Sequence, residues 1–235
     1  MIPILLLLSA AFAGAPEDLA LAANKNLDEP ARMAAFDRLV LLGNTDLREV
    51  MRVSADQSAD ARTRWVAIRV LRQVKGDPAR DALISRLSDD MPAMRVAAAN
   101  ALGDLGDPAA VTPLLKCLAD PAMLVRAAAA DALGNIGDGR AVSALGAAVT
   151  DKDGYHRGES LWVRRHYVDA LGRIGSKTAL PVLLPALDDS DPTVAQAAVD
   201  AFEAIAGFSY AQGRSPDEER AAWRRWAGSQ IKTGG

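Results

Sequence analysis

Side chains that commonly carry chemistry are scarce in this 235-residue chain. It has two histidines, His156 and His166, and one cysteine, Cys117. A single cysteine excludes an intramolecular disulfide framework, and within TPLLKCLAD it stands at helical spacing as a small buried hydrophobe. The two histidines leave no His, Cys and carboxylate set at metal-ligand spacing. His156 and Glu159 are three apart, but in a glycine-containing loop, and Asp151 and Asp153 open DKDG like a calcium loop without its closing glutamate. No G-x-S-x-G, glycine-rich phosphate loop or Cys-His nucleophile occurs. With 27 Lys and Arg against 30 Asp and Glu, the net charge of −3 offers no footprint for nucleic acid. Period-two alternation over a strand length is also missing, which excludes a β fold. The chain is therefore expected to be all-α and non-catalytic, without metal or cofactor.

What is abundant is self-similarity. The stretch VRAAAADALGNIG, Val125 to Gly137, returns five more times in altered form. Its arginine is Arg126; its counterparts are Arg32, Arg64, Arg95 and Arg164, with Ala195 in the last copy. The steps are 32, 31, 31, 38 and 31 residues, a near-constant period with one enlarged interval. Five positions after the arginine each copy has a polar residue: Asp37, Arg69, Asn100, Asp131, Asp169, Asp200. Two further on stands a large apolar one: Leu39, Leu71, Leu102, Leu133, Leu171, Phe202. Three more give Leu42, Val74, Leu105, Ile136, Ile174 and Ile205. Apolar positions three and four apart, with alanines between, define one helix face, and the small residues allow neighbouring helices to approach closely.

The spacing predicts paired helices. The first of each pair falls near 16–26, 45–56, 78–88, 108–118, 139–150 and 177–187, the second near 30–42, 59–75, 92–105, 121–136, 161–174 and 192–206. Asp77-Pro78, Asp107-Pro108, Asp120-Pro121 and Asp191-Pro192 each place a capping aspartate before a proline suited to a first helical turn. Gly43, Gly106, Gly137 and Gly175 are expected to close second helices in the left-handed conformation.

The pattern V-R-x-A-A-x-x-A-L-G-x-I-G-D-x-x-A-V-x-x-L stands here as Val125-Arg126-Ala127-Ala128 through Asp138 to Ala141-Val142 and Leu145. It resembles the HEAT-like repeat of the phycobilisome-lyase type, over residues 28–207. The resemblance implies a right-handed α-α superhelix, a HEAT-like α-solenoid of six helix pairs. It also implies that recurrent arginines and aspartates link repeats, with Arg95, Arg126 and Arg164 reaching Asn100, Asp131 or Asp169 in a structural ladder. Because each repeat buries its face only against its neighbours, such an array presents an extended shallow surface suited to another protein or peptide. Bilin lyases use this repeat to attach or detach a tetrapyrrole on antenna proteins, usually in a two-protein assembly; that is the alternative function implied. A permanent structural subunit of an envelope assembly is a third.

Both ends are distinctive. Residues 1–15, MIPILLLLSAAFAGA, join an apolar run to small residues suited to signal peptidase, although no Lys or Arg precedes the run. Export to a periplasm or beyond is expected; an apolar N-terminal helix packed on the first repeat is the other reading. The solenoid is assigned to 16–207, and 208–235 to a linker and capping helix. There Ser215-Pro216-Asp217-Glu218 forms a capping-box sequence, followed by Trp223 and Trp226 among Arg220, Arg224 and Arg225. No membrane insertion is expected after signal cleavage.

The long 38-residue step places an insertion, DKDGYHRGES, at 151–160. In the helix that follows, the places of Ala128 and Ala129 are taken by His166 and Tyr167. A loop and two broken repeat rules in one copy mark a grafted function. The candidate partner contact is Tyr155, His156, Trp162, His166 and Tyr167 as anchors, with Arg157 and Arg165 beside them. Local repacking around the inserted loop is the competing explanation.

Overall fold

In the computed structural model, residues 14–43, 47–151, 154–156 and 159–233 are described. They form two compact units, Met1–Leu105 and Gly106–Gly235. The first unit contains α1 (Ala15–Ala23), α2 (Glu29–Gly43), α3 (Arg48–Ala55), α4 (Ala61–Gln73), α5 (Asp77–Arg86) and α6 (Pro92–Leu105). The second contains α7 (Val111–Cys117), α8 (Met123–Ile136), α9 (Val142–Thr150), α10 (Val163–Ile174), α11 (Leu180–Ala186), α12 (Pro192–Ala206) and α13 (Pro216–Thr233). The helices α7, α9 and α11 each follow a single 3-10 turn, and a two-residue antiparallel pair, β1 (Tyr155–His156) with β2 (Glu159–Ser160), precedes α10. Apart from that pair the described chain is all-helical. Most of the expected export segment, residues 1–13, lies outside the described residues.

Each unit repeats one packing rule. A first helix packs on the second helix of its own repeat, as α3 on α4 and α9 on α10, and second helices pack on each other: α2, α4 and α6 in one unit, α8, α10 and α12 in the other. The periodic leucine explains this. Leu39, Leu71, Leu102, Leu133, Leu171 and Phe202 are all fully buried. Full burial of such a side chain is worth about 1.5–3 kcal/mol, so the six positions carry much of the core. The position three residues further along is less uniform: Val74 is buried, Leu42 is exposed, and the other four are half-buried.

Small residues set the helix spacing. A Cβ added at Gly134 would lie 2.9 Å from Ala170 Cα, and one at Gly172 would lie 2.8 Å from Ala201 Cα. Backbones of α8, α10 and α12 therefore approach to a distance that a larger side chain would prevent. Gly106, Gly137 and Gly175 follow their helices at positive φ, as the sequence requires. Gly43 does not: it is buried inside α2, where a Cβ would strike Val74 Cγ2 at 2.7 Å, so its role is packing. Asp77 is likewise no cap, since α5 begins on it after Gly76 and its carboxylate pairs with Arg80 at 2.7 Å. Asp107 and Asp191 do cap, accepting from the N–H of Ala109 and of Thr193, both at 2.8 Å.

The expected arginine ladder takes a different course. Arg95 Nη1 donates to the Asp89 carbonyl at 2.8 Å, and Arg126 Nη1 donates to the Asp120 carbonyl at 2.9 Å. Each arginine thus reaches the turn before its own helix, not Asn100 or Asp131. Positions five apart on a helix differ by about 140° in direction, so the two side chains leave on different faces. The carboxylate partners lie 25 residues on. Arg64 Nη2 pairs with Asp89 Oδ2, and Arg164 Nη1 pairs with Asp189 Oδ2, all four side chains being buried. The other oxygen of each aspartate caps its own turn, Asp89 Oδ1 accepting from Met91 N and Asp189 Oδ1 from Asp191 N, both at 3.0 Å. One aspartate therefore fixes the turn and the adjacent repeat together.

The last helix closes the second unit. Trp223 is fully buried, stacked on Phe202 with centroids 5.7 Å apart and on Phe208 at 5.5 Å. The capping box forms, Ser215 N donating to Glu218 Oε2 at 2.8 Å, and Arg224 reaches Asp188.

The buried clamp predicts an asymmetry among arginines. Arg64→Ala removes the close buried partner of Asp89, leaving Arg86 Nη1 at 4.0 Å, and is expected to destabilise the protein by about 3 kcal/mol. Arg140→Ala, whose pair with Asp138 spans two residues at the surface, is expected to leave the unfolding midpoint nearly unchanged. Urea unfolding followed by circular dichroism distinguishes them; similar losses in both would remove the clamp from the account.

Candidate functional site

The candidate side chains emerge from the start of α10 in two directions. Successive residues on a helix are turned by about 100°, which separates His166 from Tyr167. His166 points toward α8, where its Nδ1 lies 2.8 Å from Asp131 Oδ2. Arg173 sits seven residues later, almost two full turns, and so returns to the same face. Its Nη2 donates to Asp131 Oδ1 at 2.6 Å. The two oxygens of one carboxylate are thus held by two side chains of the next repeat. Gly134 makes this possible, because a Cβ there would meet Arg173 Nε at 2.7 Å.

A carboxylate that is ionised can only accept, so the His166 ring presents its proton on Nδ1. Burial acts to push the Asp131 carboxyl up, but the hydrogen bonds from His166 and Arg173 outweigh it, and the group sits below its ordinary value. Asp169 on the same face shows the opposite balance. Burial raises it, against the partial compensation of Arg165, which pairs with it at 3.3 Å, and of Arg173.

Trp162 completes the group. It precedes α10, is 44% exposed, and stands edge-on to the His166 ring at 5.2 Å with an interplanar angle of 81°. The histidine is therefore wedged between a carboxylate and an indole, and the indole's remaining surface faces solvent. Leu124 holds the corresponding place two residues before Arg126 in the preceding repeat and is also exposed.

The candidate list accordingly divides. Trp162, Arg165 and His166 gather at the beginning of α10 and reach the surface. Tyr167 does not: only 3% of it is exposed, so it cannot serve as a surface anchor. Its hydroxyl is raised by burial, an effect partly offset by the Arg126 guanidinium beside it, while Asp151 adds to the rise. Tyr155 and His156 form β1, but their side chains lie outside the described residues, as does Arg157 altogether. Asp131 joins the site as the partner of His166 and not as a rung to Arg126. Arg173 was absent from the candidate list. The signal for it was available in the sequence, since it follows His166 by seven residues and faces the same side of one helix.

Among the described residues no group of three His, Cys, Asp or Glu side chains is arranged to hold a metal ion. No helix among them is long and apolar enough to cross a membrane. Chemically, the arrangement offers a half-exposed indole edge-on to His166, the exposed guanidinium of Arg165, and a carboxylate held by His166 and Arg173.

The opposite balances at Asp131 and Asp169 give a pH test. A carboxyl held low by folding contributes stability that is complete above its unfolded value of about 3.9 and disappears as pH falls through the folded one. Asp131→Asn is thus expected to destabilise the protein at neutral pH, with the difference from wild type closing below about pH 4. Asp169→Asn removes a carboxyl that folding holds high, so it is expected to be neutral or stabilising at neutral pH. Thermal unfolding of both variants at neutral and acidic pH checks the signs; a penalty for Asp131→Asn that persists undiminished in acid would contradict the assignment.

Comparison with known proteins agrees with the repeat. The HEAT repeat profile matches residues 49–123, 80–162 and 153–217, together well over half of the chain. No curated protein matches the sequence. Among solved structures, the complex of CpcE and CpcF of phycocyanin lyase from Nostoc sp. PCC7120 is similar, with 30% identity and a TM-score of 0.59. The match covers 69% of this chain and spans 65% of that one. A designed armadillo repeat protein in complex with the peptide (KR)4 shares the fold at 19% identity, with a TM-score of 0.53, over 82% of this chain and all of that one. With six buried leucine-type positions, the recurrent arginine and the profile match over most of its length, the chain belongs to the family of HEAT repeat proteins.

Proposed function

We propose that this protein is an exported, non-catalytic HEAT-repeat scaffold that binds another protein through the start of α10. The observation that carries the reading is the Trp162–His166–Asp131 arrangement. A large indole is left substantially exposed, yet its neighbour is anchored to the adjacent repeat by a 2.8 Å hydrogen bond. Tryptophan and arginine dominate interface energetics, and an anchor fixed before binding loses little conformational freedom on association. Arg165 adds a charge whose only close pairing among the described residues is a surface contact at 3.3 Å, weak enough to exchange for a partner's carboxylate. The apolar run and small residues of 1–15 support export, in which case the partner would be met outside the cytoplasm.

A second reading is supported by the likeness to the phycocyanin lyase complex. In that case the chain would be one member of a two-protein assembly that handles a bilin, and the α10 surface would contact the companion chain. The purified protein would then acquire bilin absorbance when mixed with chromophore.

The test replaces Trp162 with a photo-crosslinking amino acid and separately with alanine. Illumination of the exporting cells is expected to give one dominant crosslinked partner. Trp162→Ala is expected to lower affinity for that partner by about tenfold or more, the loss of a hot-spot side chain. Unchanged affinity in Trp162→Ala, with the partner bound elsewhere, would sink the α10 contact. Retention of the tagged chain in the cytoplasm would sink the export reading independently.

A further inference from the structure

Arg126 precedes the insertion before α10, and a cavity opens against it. In the rungs Arg64–Asp89 and Arg164–Asp189, the arginine and the aspartate 25 residues on are buried together. From Arg126 the same spacing falls on Asp151, the residue at which α9 ends and the insertion begins. Asp151 is exposed. Among the described residues Arg126 makes no ion pair; its Nη1 is given to the carbonyls of Asp120, at 2.9 Å, and Pro121, at 3.4 Å.

The space beside this guanidinium is a cavity of about 160 Å³, lined by Arg126, Tyr167, Asp151, Leu118, Ala148 and Val163. Its chemistry is divided. The Arg126 guanidinium is hydrogen-bonded to the buried Tyr167 hydroxyl, which puts two polar groups together on one wall. The wall of Leu118, Ala148 and Val163 is apolar. Asp151, at the exposed rim, supplies negative charge. A simple anion would be opposed by Asp151, and a simple cation by Arg126. A compact molecule carrying both charges close together, with an apolar body, meets all three surfaces. A water occupies about 30 Å³ of liquid, so the space suits a ligand of only a few heavy atoms beyond its charged groups.

We propose that this cavity binds a small apolar α-amino acid. Its carboxylate lies against Arg126 and Tyr167. Its ammonium faces Asp151, and its side chain rests on Leu118, Ala148 and Val163. The site is separate from the Trp162 surface, because Tyr167 leaves α10 in a different direction from His166, so neither reading depends on the other.

Calorimetric titration of the full chain tests this with three probes of similar shape: leucine, isovalerate, which lacks the ammonium, and isoamylamine, which lacks the carboxylate. Leucine is expected to bind, and each single-charge analogue to bind at least about tenfold more weakly, the usual loss for one charged hydrogen-bonding contact. Tyr167→Phe keeps the packed ring and is expected to weaken leucine about tenfold. Asp151→Asn, at an exposed position, is expected to reduce leucine to the affinity of isovalerate. Circular dichroism of the unliganded variants establishes that both are folded. No saturable binding of leucine by the wild-type chain up to about 10 mM, well above the weakest useful affinity, would overturn the proposal. So would equal affinity for leucine and isovalerate, or leucine binding that neither variant alters.

Discussion

Everything in this chain hangs on a carboxylate that does two jobs at the turn between paired helices. Asp89 and Asp189 each use one oxygen to hold the N–H two residues ahead and the other to receive a buried arginine. Ion pairs so thoroughly buried are poor sources of net stability, because desolvation of both charges offsets most of their attraction. Their value is in register. A helix displaced along its axis by a fraction of a turn would keep most of its apolar burial, since apolar packing is only weakly directional. It would, however, leave both a guanidinium and a carboxylate unpaired in the interior. The clamp turns a tolerant hydrophobic stack into one with a single acceptable alignment.

Alignment in turn makes contacts between repeats possible. Asp131 is reached by His166 and Arg173 because two positions seven residues apart on α10 are both presented to α8, and because Gly134 leaves room for the longer side chain. Had α8 carried alanine in place of Gly134, the Arg173 side chain would have been displaced from the carboxylate. The small residues usually credited with tight packing therefore also determine where charged side chains can meet. The surface at the start of α10 is a consequence of backbone proximity as much as of the residues displayed on it.

Periodic burial determines what could be read in the sequence. The six leucine-type positions and the helix pairs were legible, since periodic burial leaves a periodic trace and all six positions are fully buried. The site at His166 and Trp162 was visible as a departure from the repeat. The arginine pairing was misread because residues five apart are close in sequence but diverge on a helix, while true partners 25 apart lie on different elements. The spacing was nevertheless present: Asp89, Asp151 and Asp189 follow Arg64, Arg126 and Arg164 by the same interval. Tyr167 was misjudged for a related reason. A polar aromatic in place of an alanine reads as a display residue, but direction on the helix sends it inward, beside Arg126.

An insertion at a turn affects a repeat protein differently from an insertion at an exposed loop tip. In this chain the turn is where register is set, so added residues there must disturb a clamp. The structure shows how the disturbance is contained. Arg164 remains tied to Asp189 and also donates from Nε to the Val149 carbonyl at 3.0 Å, bridging across the inserted segment. Gly154 permits this: a Cβ there would meet Arg164 Cδ at 2.8 Å. The downstream rung is thus preserved, while Arg126 pairs with no carboxylate among the described residues and gives its Nη1 to the Asp120 carbonyl. A repeat that gains a new surface on one side of its helix and a cavity on the other can do so only where the following repeat keeps its own register, and the Arg164 contacts supply that condition.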